Sequence, residues 1–247
     1  MNRIRAWIIA GILLAQASAW AAPAVVQSTD GVTGISTLDM TALASTTTTG
    51  NYLVGCTQAT GTGRTVSSVT DTQSNTYTVL GPTDQTGRFY RFYAPITTGG
   101  ASNVIRVTWS GAVTATAIAM EISGVNAFDV GAVQAQAATG TGTDGASSTA
   151  ATTTQNGDFI IGCMANMTNT SPAITAGTSF TIDRTYLSSG RRLALEHYTQ
   201  PTAGSIAATF TLSVDSQAVT SMMSFKASGG GGATCRGALL LTGVGGC

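Results

Sequence analysis

The sequence predicts an all-β protein, an antiparallel β-sandwich of jelly-roll or immunoglobulin-like type, built from two internally similar halves. Short runs of β-branched and aromatic residues alternate with turn residues at regular spacing, which is the pattern of a sandwich or barrel. No stretch shows a sustained helical period. The segment Gly50–Cys56, Gly-Asn-Tyr-Leu-Val-Gly-Cys, returns as Gly-Asp-Phe-Ile-Ile-Gly-Cys at Gly157–Cys163, which indicates a repeated β unit.

Composition limits both the class of protein and its partners. Hydrophobic residues make up 43% of the 247-residue chain, which is enough for a packed fold. Charged residues make up only 9%, and the formal net charge is zero. Such a surface has no long-range attraction for nucleic acid or anionic lipid, so we expect neither as a partner. The abundance of Thr, Ser, Gly and Ala beside short β-branched runs is typical of secreted β proteins.

The first 21 residues have the pattern of a secretory signal peptide. Two arginines precede an apolar run from Ala6 to Ala15, and the small residues that follow fit cleavage after Ala19 or Ala21. The competing interpretation is an uncleaved membrane anchor, but the apolar run is short for a bilayer. We therefore expect a mature chain that is secreted or at the cell surface, with no transmembrane segment, in a compartment where disulfides are permitted.

Strand-like runs follow in order through the first half, separated by Gly, Asn, Asp and Pro. Before them, a loosely alternating stretch contains Asp30-Gly31, a turn signal. The predicted strands are Asn51–Thr57, Thr65–Thr70, Thr76–Leu80, Arg88–Ala94, Asn103–Trp109 and Val113–Ser123. The segment Asp71–Asn75 has the residue types of a calcium loop, but no acid occurs near the equivalent Gly177. We favour a hairpin turn stabilised by the Asp71 side chain.

The second half repeats this order after a polar bridge, Ala137–Thr154, which is either a linker or a crossover. Its predicted strands are Phe159–Met164, Ser179–Asp183, Leu193–Tyr198, Ala207–Ser213 and Ala218–Phe225. The sandwich covers residues 22–227, with similar halves at about 31–125 and 137–227. Because strand order recurs together with the motif, we infer an internal duplication. Residues 228–247 form a Gly-rich linker and a cysteine-flanked apolar tail.

Aligning the later strands of the two halves assigns charged side chains to faces. The alignment sets Arg91 against Glu196 and Glu121 against Lys226, so the sign of the charge is exchanged between the halves. We infer two cross-strand charge pairs on outer sheet faces, Arg91 with Glu121 and Glu196 with Lys226. The opposite faces of the last strands are predicted to be core: Ile118, Met120, Met223 and Phe225.

The residue types that hydrolases need are scarce. Glu121 and Glu196 are the only glutamates and His197 is the only histidine. A glycosidase would need two carboxylates beside a cleft. A hydrolytic triad would need a nucleophile near the histidine, and the Gly-x-Ser-x-Gly motif that presents such a serine is not in the sequence. His197 takes the position of Phe92 in the repeat, so we expect its ring to face the core. We expect no metal site and no cofactor.

The four cysteines fall into two classes. Cys56 and Cys163 end equivalent central strands, where we favour free buried thiols over a bridge between the halves. Cys235 and Cys247 flank the apolar tail and are predicted to close a small disulfide loop in an oxidising compartment. Covalent attachment of the tail to another chain is the alternative.

Aromatic side chains are the remaining sign of a binding face. Tyr93 and Tyr198 fall on the outer side beside Arg91 and Glu196, and tyrosine rings stack on sugars and line protein interfaces. These four residues are the predicted ligand contacts. Trp109 lies on the apolar face of its strand and is predicted to be core.

Several short motifs together carry a resemblance. They are Val66–Asp71, Asn75–Thr78, Arg91–Ala94 and Met120–Val125, followed by the Gly-Asp-Phe-Ile strand. This pattern resembles a widespread group of uncharacterised secreted β-sandwich proteins of bacteria and phages, across most of Thr33–Ala227. Ile122 stands where that group commonly has an aromatic residue. The resemblance implies the fold class and export, and it implies no activity because the group has no established one.

Three functions remain open from the sequence. The first is a secreted, non-catalytic binding or adhesion module for a carbohydrate or a cell surface. The second is a structural subunit of an extracellular assembly, self-associating through the tail. The third and least favoured is a glycoside hydrolase that uses Glu121 or Asp129. A β-sandwich hosts all three kinds of function, so the fold does not choose among them.

Overall fold

The computed structural model describes residues 21–60, 63–82, 88–136, 144–168, 171–188 and 191–229. Within these ranges all repetitive secondary structure is β-strand and every strand pair is antiparallel, which confirms the predicted fold class. The same ranges contain no helix that is long and apolar enough to cross a membrane. The predicted signal peptide, nearly all of the tail, and its Cys235 and Cys247 lie outside the described residues.

The first half, residues 21–123, has eight strands. They are β1 (Ala24–Thr33), β2 (Thr37–Asp39), β3 (Tyr52–Ala59), β4 (Val66–Asp71), β5 (Thr78–Leu80), β6 (Phe89–Pro95), β7 (Ile105–Trp109) and β8 (Ala115–Ser123). Five of them form central sheet I in the order β1-β8-β3-β6-β5, and three form outer sheet I in the order β2-β7-β4.

The second half, residues 125–229, has ten strands. They are β9 (Val125–Gln136), β10 (Asp144–Ser147), β11 (Ala151–Thr152), β12 (Asp158–Asn166), β13 (Ile174–Ala176), β14 (Thr181–Ser188), β15 (Arg191–Gln200), β16 (Ser205–Ile206), β17 (Thr209–Leu212) and β18 (Ala218–Ala227). Central sheet II has the order β14-β15-β12-β18-β9, and outer sheet II has the order β10-β17-β13. Strands β11 and β16 form a separate pair.

The two halves have the same strand order once β11 and β16 are set aside. In each half the first strand is the hydrogen-bonded neighbour of the last, β1 of β8 and β9 of β18. Immunoglobulin sandwiches place these strands in different sheets, whereas eight strands in two sheets form a jelly roll. Each half therefore follows the jelly-roll alternative. The common order supports an internal duplication, which stays a prediction.

The sheets stack in four layers, with the two central sheets face to face and an outer sheet on the far side of each. A middle core between the central sheets takes side chains from both halves. The four residues predicted as the core side of β8 and β18 lie there, all fully buried: Ile118, Met120, Met223 and Phe225. Trp109 is buried in the first outer core, between central sheet I and outer sheet I, as predicted.

The repeated Gly-Cys motif occupies the middle strand of each central sheet. Because β3 and β12 have a strand on either side and a covering layer on either face, they are buried along nearly their whole length. Cys56 and Cys163 both face the middle core and form a disulfide, with their Cα atoms 6.6 Å apart. The preference for free thiols is wrong, because the two strands lie directly opposite each other.

The alignment inferred for the later strands is wrong by one residue at β6 and β15. Cys56 lies opposite Arg91 in the first half, and Cys163 lies opposite Leu195 in the second. Arg91 is therefore equivalent to Leu195, and not to Glu196. Since successive residues of a strand face opposite sides, this shift moves Glu196 to the other face of its sheet.

Two boundaries also differ from the prediction. The Asp30-Gly31 pair makes no turn and lies inside β1, where a Cβ on Gly31 would come within 2.9 Å of the backbone of Met40. Gly124 alone separates β8 from β9, so the second half begins there and not at residue 137. The predicted polar bridge contains β10 and β11 and is part of the second half.

We predict that replacing both Cys56 and Cys163 with alanine lowers the free energy of unfolding by about 4 kcal/mol. The bond joins residues 107 apart in sequence, and closing so long a loop removes much entropy from the unfolded chain. Guanidinium titration of the double variant and the wild type measures the difference. Wild type refolded under reducing conditions is the control and should match the variant; equal stability of the oxidised wild type and the variant would contradict the prediction.

Candidate functional site

Neither of the inferred charge pairs forms. Arg91 lies on β6 and Glu121 on β8, with β3 between them, and they point to opposite faces of central sheet I. Glu196 on β15 and Lys226 on β18 are likewise separated by β12. Cross-strand attraction needs neighbouring strands and a shared face. The pairing hypothesis is therefore wrong for both halves.

Arg91 is buried and hydrogen-bonds the first half to the second, so its side chain has little access to a ligand. Its side chain enters the middle core, and Nη1 donates hydrogen bonds to the carbonyl oxygens of Met222, at 3.1 Å, and Ala132, at 3.2 Å. Both carbonyls belong to central sheet II. Burial lowers the pKa of Arg91 to about 10, so the guanidinium keeps its charge at neutral pH.

Tyr93 and Tyr198 are half-buried and lie in different layers. Tyr93 stacks on Phe128 with ring centroids 4.8 Å apart and meets the edge of Phe225 at 5.7 Å, at the rim of the middle core. Tyr198 packs against Phe180 on the opposite face of central sheet II. The predicted ligand contacts are thus not brought together into one site.

Glu196 is fully buried between central sheet II and outer sheet II. Its Oε2 accepts a hydrogen bond from the Gly177 backbone N–H at 3.1 Å. Gly162 provides the room, because a Cβ there would come within 2.7 Å of the Glu196 side chain. Burial raises the pKa of Glu196 to about 8, so this side chain is a neutral acid at physiological pH.

His197 faces the middle core, as predicted, although its equivalent is Tyr93 and not Phe92. Its ring lies against Phe159, with centroids 5.2 Å apart, and its Nδ1 lies 2.8 Å from both carboxylate oxygens of Asp183. The pair sits at the edge of the layer, where the His197 side chain is 27% exposed.

Two acids are saturated by hydrogen bonds. The Asp71 carboxylate accepts from the backbone N–H of Gln73 and of Asn75, at 3.1 and 2.9 Å, which confirms that its side chain stabilises the turn. The predicted hairpin is wrong, because β4 lies in outer sheet I and β5 in central sheet I. Side chains donate the remaining hydrogen bonds to Asp71: Asn75, Tyr77 and Asn103. Glu121 is buried and accepts three hydrogen bonds, from Gln27, Thr48 and Asn51. With their oxygens occupied, neither group is positioned for catalysis or for a cation.

A shallow groove of about 150 Å³ opens at one end of outer sheet I. Its lining residues are Asp39, Thr70, Asp71, Thr72, Val104 and Arg106. Arg106 Nε and Nη2 donate to the two Asp39 carboxylate oxygens at 2.6 and 2.7 Å, and both side chains are about half exposed. Sequence reasoning missed this pair, although alternation along β7 puts Arg106 on the solvent side, opposite the buried Ile105 and Val107.

A second polar cluster lies on the outer-core face of central sheet II, at one end of β12. The carboxyl groups of Asp129 on β9 and Asp158 on β12 are close enough to influence each other: burial, together with the neighbouring Asp129, raises the pKa of Asp158 to about 6. Lys226 Nζ lies 3.5 Å from Asp129 Oδ1, and Ser224 donates to Asp158 at 3.2 Å. Asp129 was the one residue of this cluster that the sequence had suggested as functional.

No group of three or more His, Cys, Asp or Glu side chains suited to a metal ion occurs in the described ranges.

Comparisons with protein-family models, with curated proteins and with solved structures found no match to this chain. The resemblance carried by the short sequence motifs stays a prediction.

We predict that Glu196→Gln stabilises the protein at alkaline pH. The folded state holds the Glu196 proton more tightly than the unfolded chain does. The stability due to this proton is fully present below pH 4.5 and is lost as pH rises through about 8. Glutamine cannot ionise, so the melting temperature of the variant should fall less between pH 6 and 9. Asp39→Asn, at an exposed acid, is the control and should keep the wild-type slope.

We predict that Tyr93→Ala lowers the free energy of unfolding by about 2 kcal/mol, because a half-buried ring loses its contacts with Phe128 and Phe225. Tyr93→Phe keeps those contacts and should unfold like the wild type. Denaturant titration of both variants measures the effect. Unchanged stability of the alanine variant would show that the ring contributes nothing to packing.

Proposed function

We propose that this chain is an extracytoplasmic, non-catalytic binding or adhesion module with a carbohydrate ligand. The observation that carries the proposal is the exposed Asp39–Arg106 pair in the groove of outer sheet I. The predicted contacts Arg91 and Glu196 are too buried to serve, so the groove takes their place.

The chemistry of the groove suits sugar hydroxyls, which both donate and accept hydrogen bonds. Arg106 uses Nε and Nη2 on Asp39, which leaves N–H donors on its guanidinium, and the Asp39 carboxylate has unused lone pairs. The exposed Thr70 hydroxyl adds a group that donates or accepts, and Val104 adds apolar surface for the C–H face of a ring. Ligand pockets with a few placed polar groups bind in this way.

The size of the groove favours a segment of an extended glycan. At about 150 Å³ it is smaller than the roughly 300–1,000 Å³ of pockets that enclose a drug-sized ligand. One sugar unit can enter while the rest of the chain runs over the hydroxyl-bearing sheet surface. Weak single contacts of this kind suit adhesion, where many copies act together.

Export is supported by two independent features. The first is the secretory pattern of residues 1–21. The second is the disulfide between Cys56 and Cys163, since such bonds persist in oxidising compartments.

The alternative of a structural subunit rests on a tail that lies almost wholly outside the described residues. The hydrolase alternative is less well supported, because Glu121 is saturated and Asp129 sits in a pair beside Lys226.

We predict that Arg106→Ala weakens glycan binding at least tenfold without a measurable change in melting temperature, because the side chain is exposed. A glycan array with the wild type identifies the ligand, and titration of that glycan measures the loss. Arg64→Ala is the charge-matched control, since Arg64 is exposed beyond the other end of β4, and it should bind like the wild type. A wild type that binds no glycan, or an Arg106→Ala variant that binds as tightly, would count against the proposal.

A further inference from the structure

We propose that Lys226 and Asp129 form an intramolecular amide bond that covalently joins the last strand of the second half to its first. This modification is independent of the proposed ligand and of the groove.

The geometry already holds the two groups together. Asp129 lies on β9 and Lys226 on β18, which are hydrogen-bonded neighbours in central sheet II. Lys226 Nζ is 3.5 Å from Asp129 Oδ1. The Asp129 side chain is only 3% exposed, and Thr154 fixes it through its backbone N–H at 2.8 Å and its hydroxyl at 2.6 Å. A carboxyl group held in this way cannot turn away from the amine.

Lys226 is the only lysine in the chain. The ten other basic residues are arginines, whose guanidinium groups stay protonated and do not acylate under ordinary conditions. The single side chain able to form an amide is thus the one that lies beside a buried carboxyl pair. A solvated surface lysine would need no such neighbour.

Asp158 supplies the acid that the condensation needs. It is fully buried and accepts a hydrogen bond from the Ser224 hydroxyl at 3.2 Å. Burial, together with the neighbouring Asp129, raises the pKa of Asp158 to about 6. Although burial opposes it, hydrogen bonds from Thr154 and Asp158 keep the pKa of Asp129 below its usual value. Of the two carboxyl groups, Asp158 is therefore the one that takes up a proton at the higher pH.

The reaction balances with no co-reactant. In molecules in which Asp158 is protonated, a proton passes from the Lys226 ammonium to the Asp129 carboxylate, which leaves the amine and both acids neutral. The amine nitrogen forms a bond with Asp129 Cγ while Asp158 donates a hydrogen bond to the oxygen on which charge develops. The Asp129 C–OH bond then breaks, and the hydroxyl leaves with a second amine proton as one water. Asp158 ends as it began, protonated.

Placement favours this condensation over hydrolysis. Well-oriented groups in a folded site reach effective concentrations of about 10⁵–10⁸ M, and the carboxyl carbon that water would attack in the reverse reaction belongs to the Asp129 side chain, which is only 3% exposed. Once formed, the amide closes a chain segment from β9 to β18 and, like a disulfide, restricts the unfolded state. An adhesion module would gain resistance to pulling at its ends.

The equivalent position in the first half is closed by hydrogen bonds alone. Its residues are Gln27 on β1, Asn51 immediately before β3, and Glu121 on β8. They correspond to Asp129 on β9, Asp158 at the start of β12, and Ser224 on β18. The Gln27 and Asn51 amides each donate to Glu121 at 2.6 Å. In the first half one carboxylate accepts hydrogen bonds from two amide groups. In the second half two carboxyl groups lie beside the amine of Lys226. That difference is what makes the second site reactive.

Intact mass spectrometry of the purified, reduced mature protein tests the proposal. We expect a mass lower than the sequence mass by one water, about 18 Da. Trypsin should fail to cut after Lys226 and should yield the peptides Val107–Arg184 and Leu193–Arg236 as one linked species. An amine reagent applied to the unfolded chain should label the N-terminus and leave Lys226 unlabelled.

Matched variants separate the reaction from the fold. Lys226→Arg keeps the charge and should have the full sequence mass, and so should Asp158→Ala, which removes the hydrogen-bond donor toward Asp129. Glu196→Gln removes a different buried acid of the same half and should still lose one water. A wild type of full mass whose Lys226 is labelled and cleaved overturns the proposal, as does water loss that persists in Lys226→Arg.

Discussion

The packing of β3 against β12 is the constraint on which the rest of the structure depends. Both strands sit in the middle of a five-stranded sheet, and the disulfide between Cys56 and Cys163 links them across the middle core. Two buried side chains of the first half also donate hydrogen bonds to the second half. Gln58 donates to the Asn166 carbonyl oxygen at 2.8 Å, and Arg91 donates to the Met222 carbonyl oxygen. Since these contacts join the halves, neither half exposes the inner face of its central sheet.

Covering both faces of the central sheets determines what happens to their polar side chains. A polar group there has no access to bulk water, so it must be hydrogen-bonded, paired or neutral. Glu121 meets this demand with three hydrogen bonds. Burial raises the pKa of Glu196 to about 8, which favours its neutral form, and Asp129 lies 3.5 Å from the Lys226 ammonium nitrogen. Asp158 accepts a hydrogen bond from Ser224. The second half therefore contains the two acids with raised pKa values, Glu196 and Asp158, and the acid for which we propose an amide bond, Asp129.

Local patterns in the sequence were enough to predict the fold class and most of the strands. Turn residues and β-branched runs mark β3, β6, β8, β12 and β18 because those strands are long and apolar. The turn predicted at Asp30-Gly31 was wrong. A glycine is needed at position 31 because the backbone of Asp39 and Met40 passes within 2.9 Å of where a Cβ would lie. The match of Arg91 with Glu196 failed because loop lengths differ between the halves, and a shift of one residue reverses every face.

The disulfide and the polar clusters could not be predicted, because they depend on distances between strands that are far apart in sequence. The same covering layers argue for where a ligand binds. Tyr93 and Glu196, on the central sheets, are held between layers, whereas the outer sheets expose polar side chains among the described residues. Outer sheet II offers hydroxyls such as Thr175 and Thr211, whereas outer sheet I adds the Asp39–Arg106 pair. A charged pair gives directional hydrogen bonds that hydroxyls alone do not, which supports the proposal that the binding surface lies on the first half.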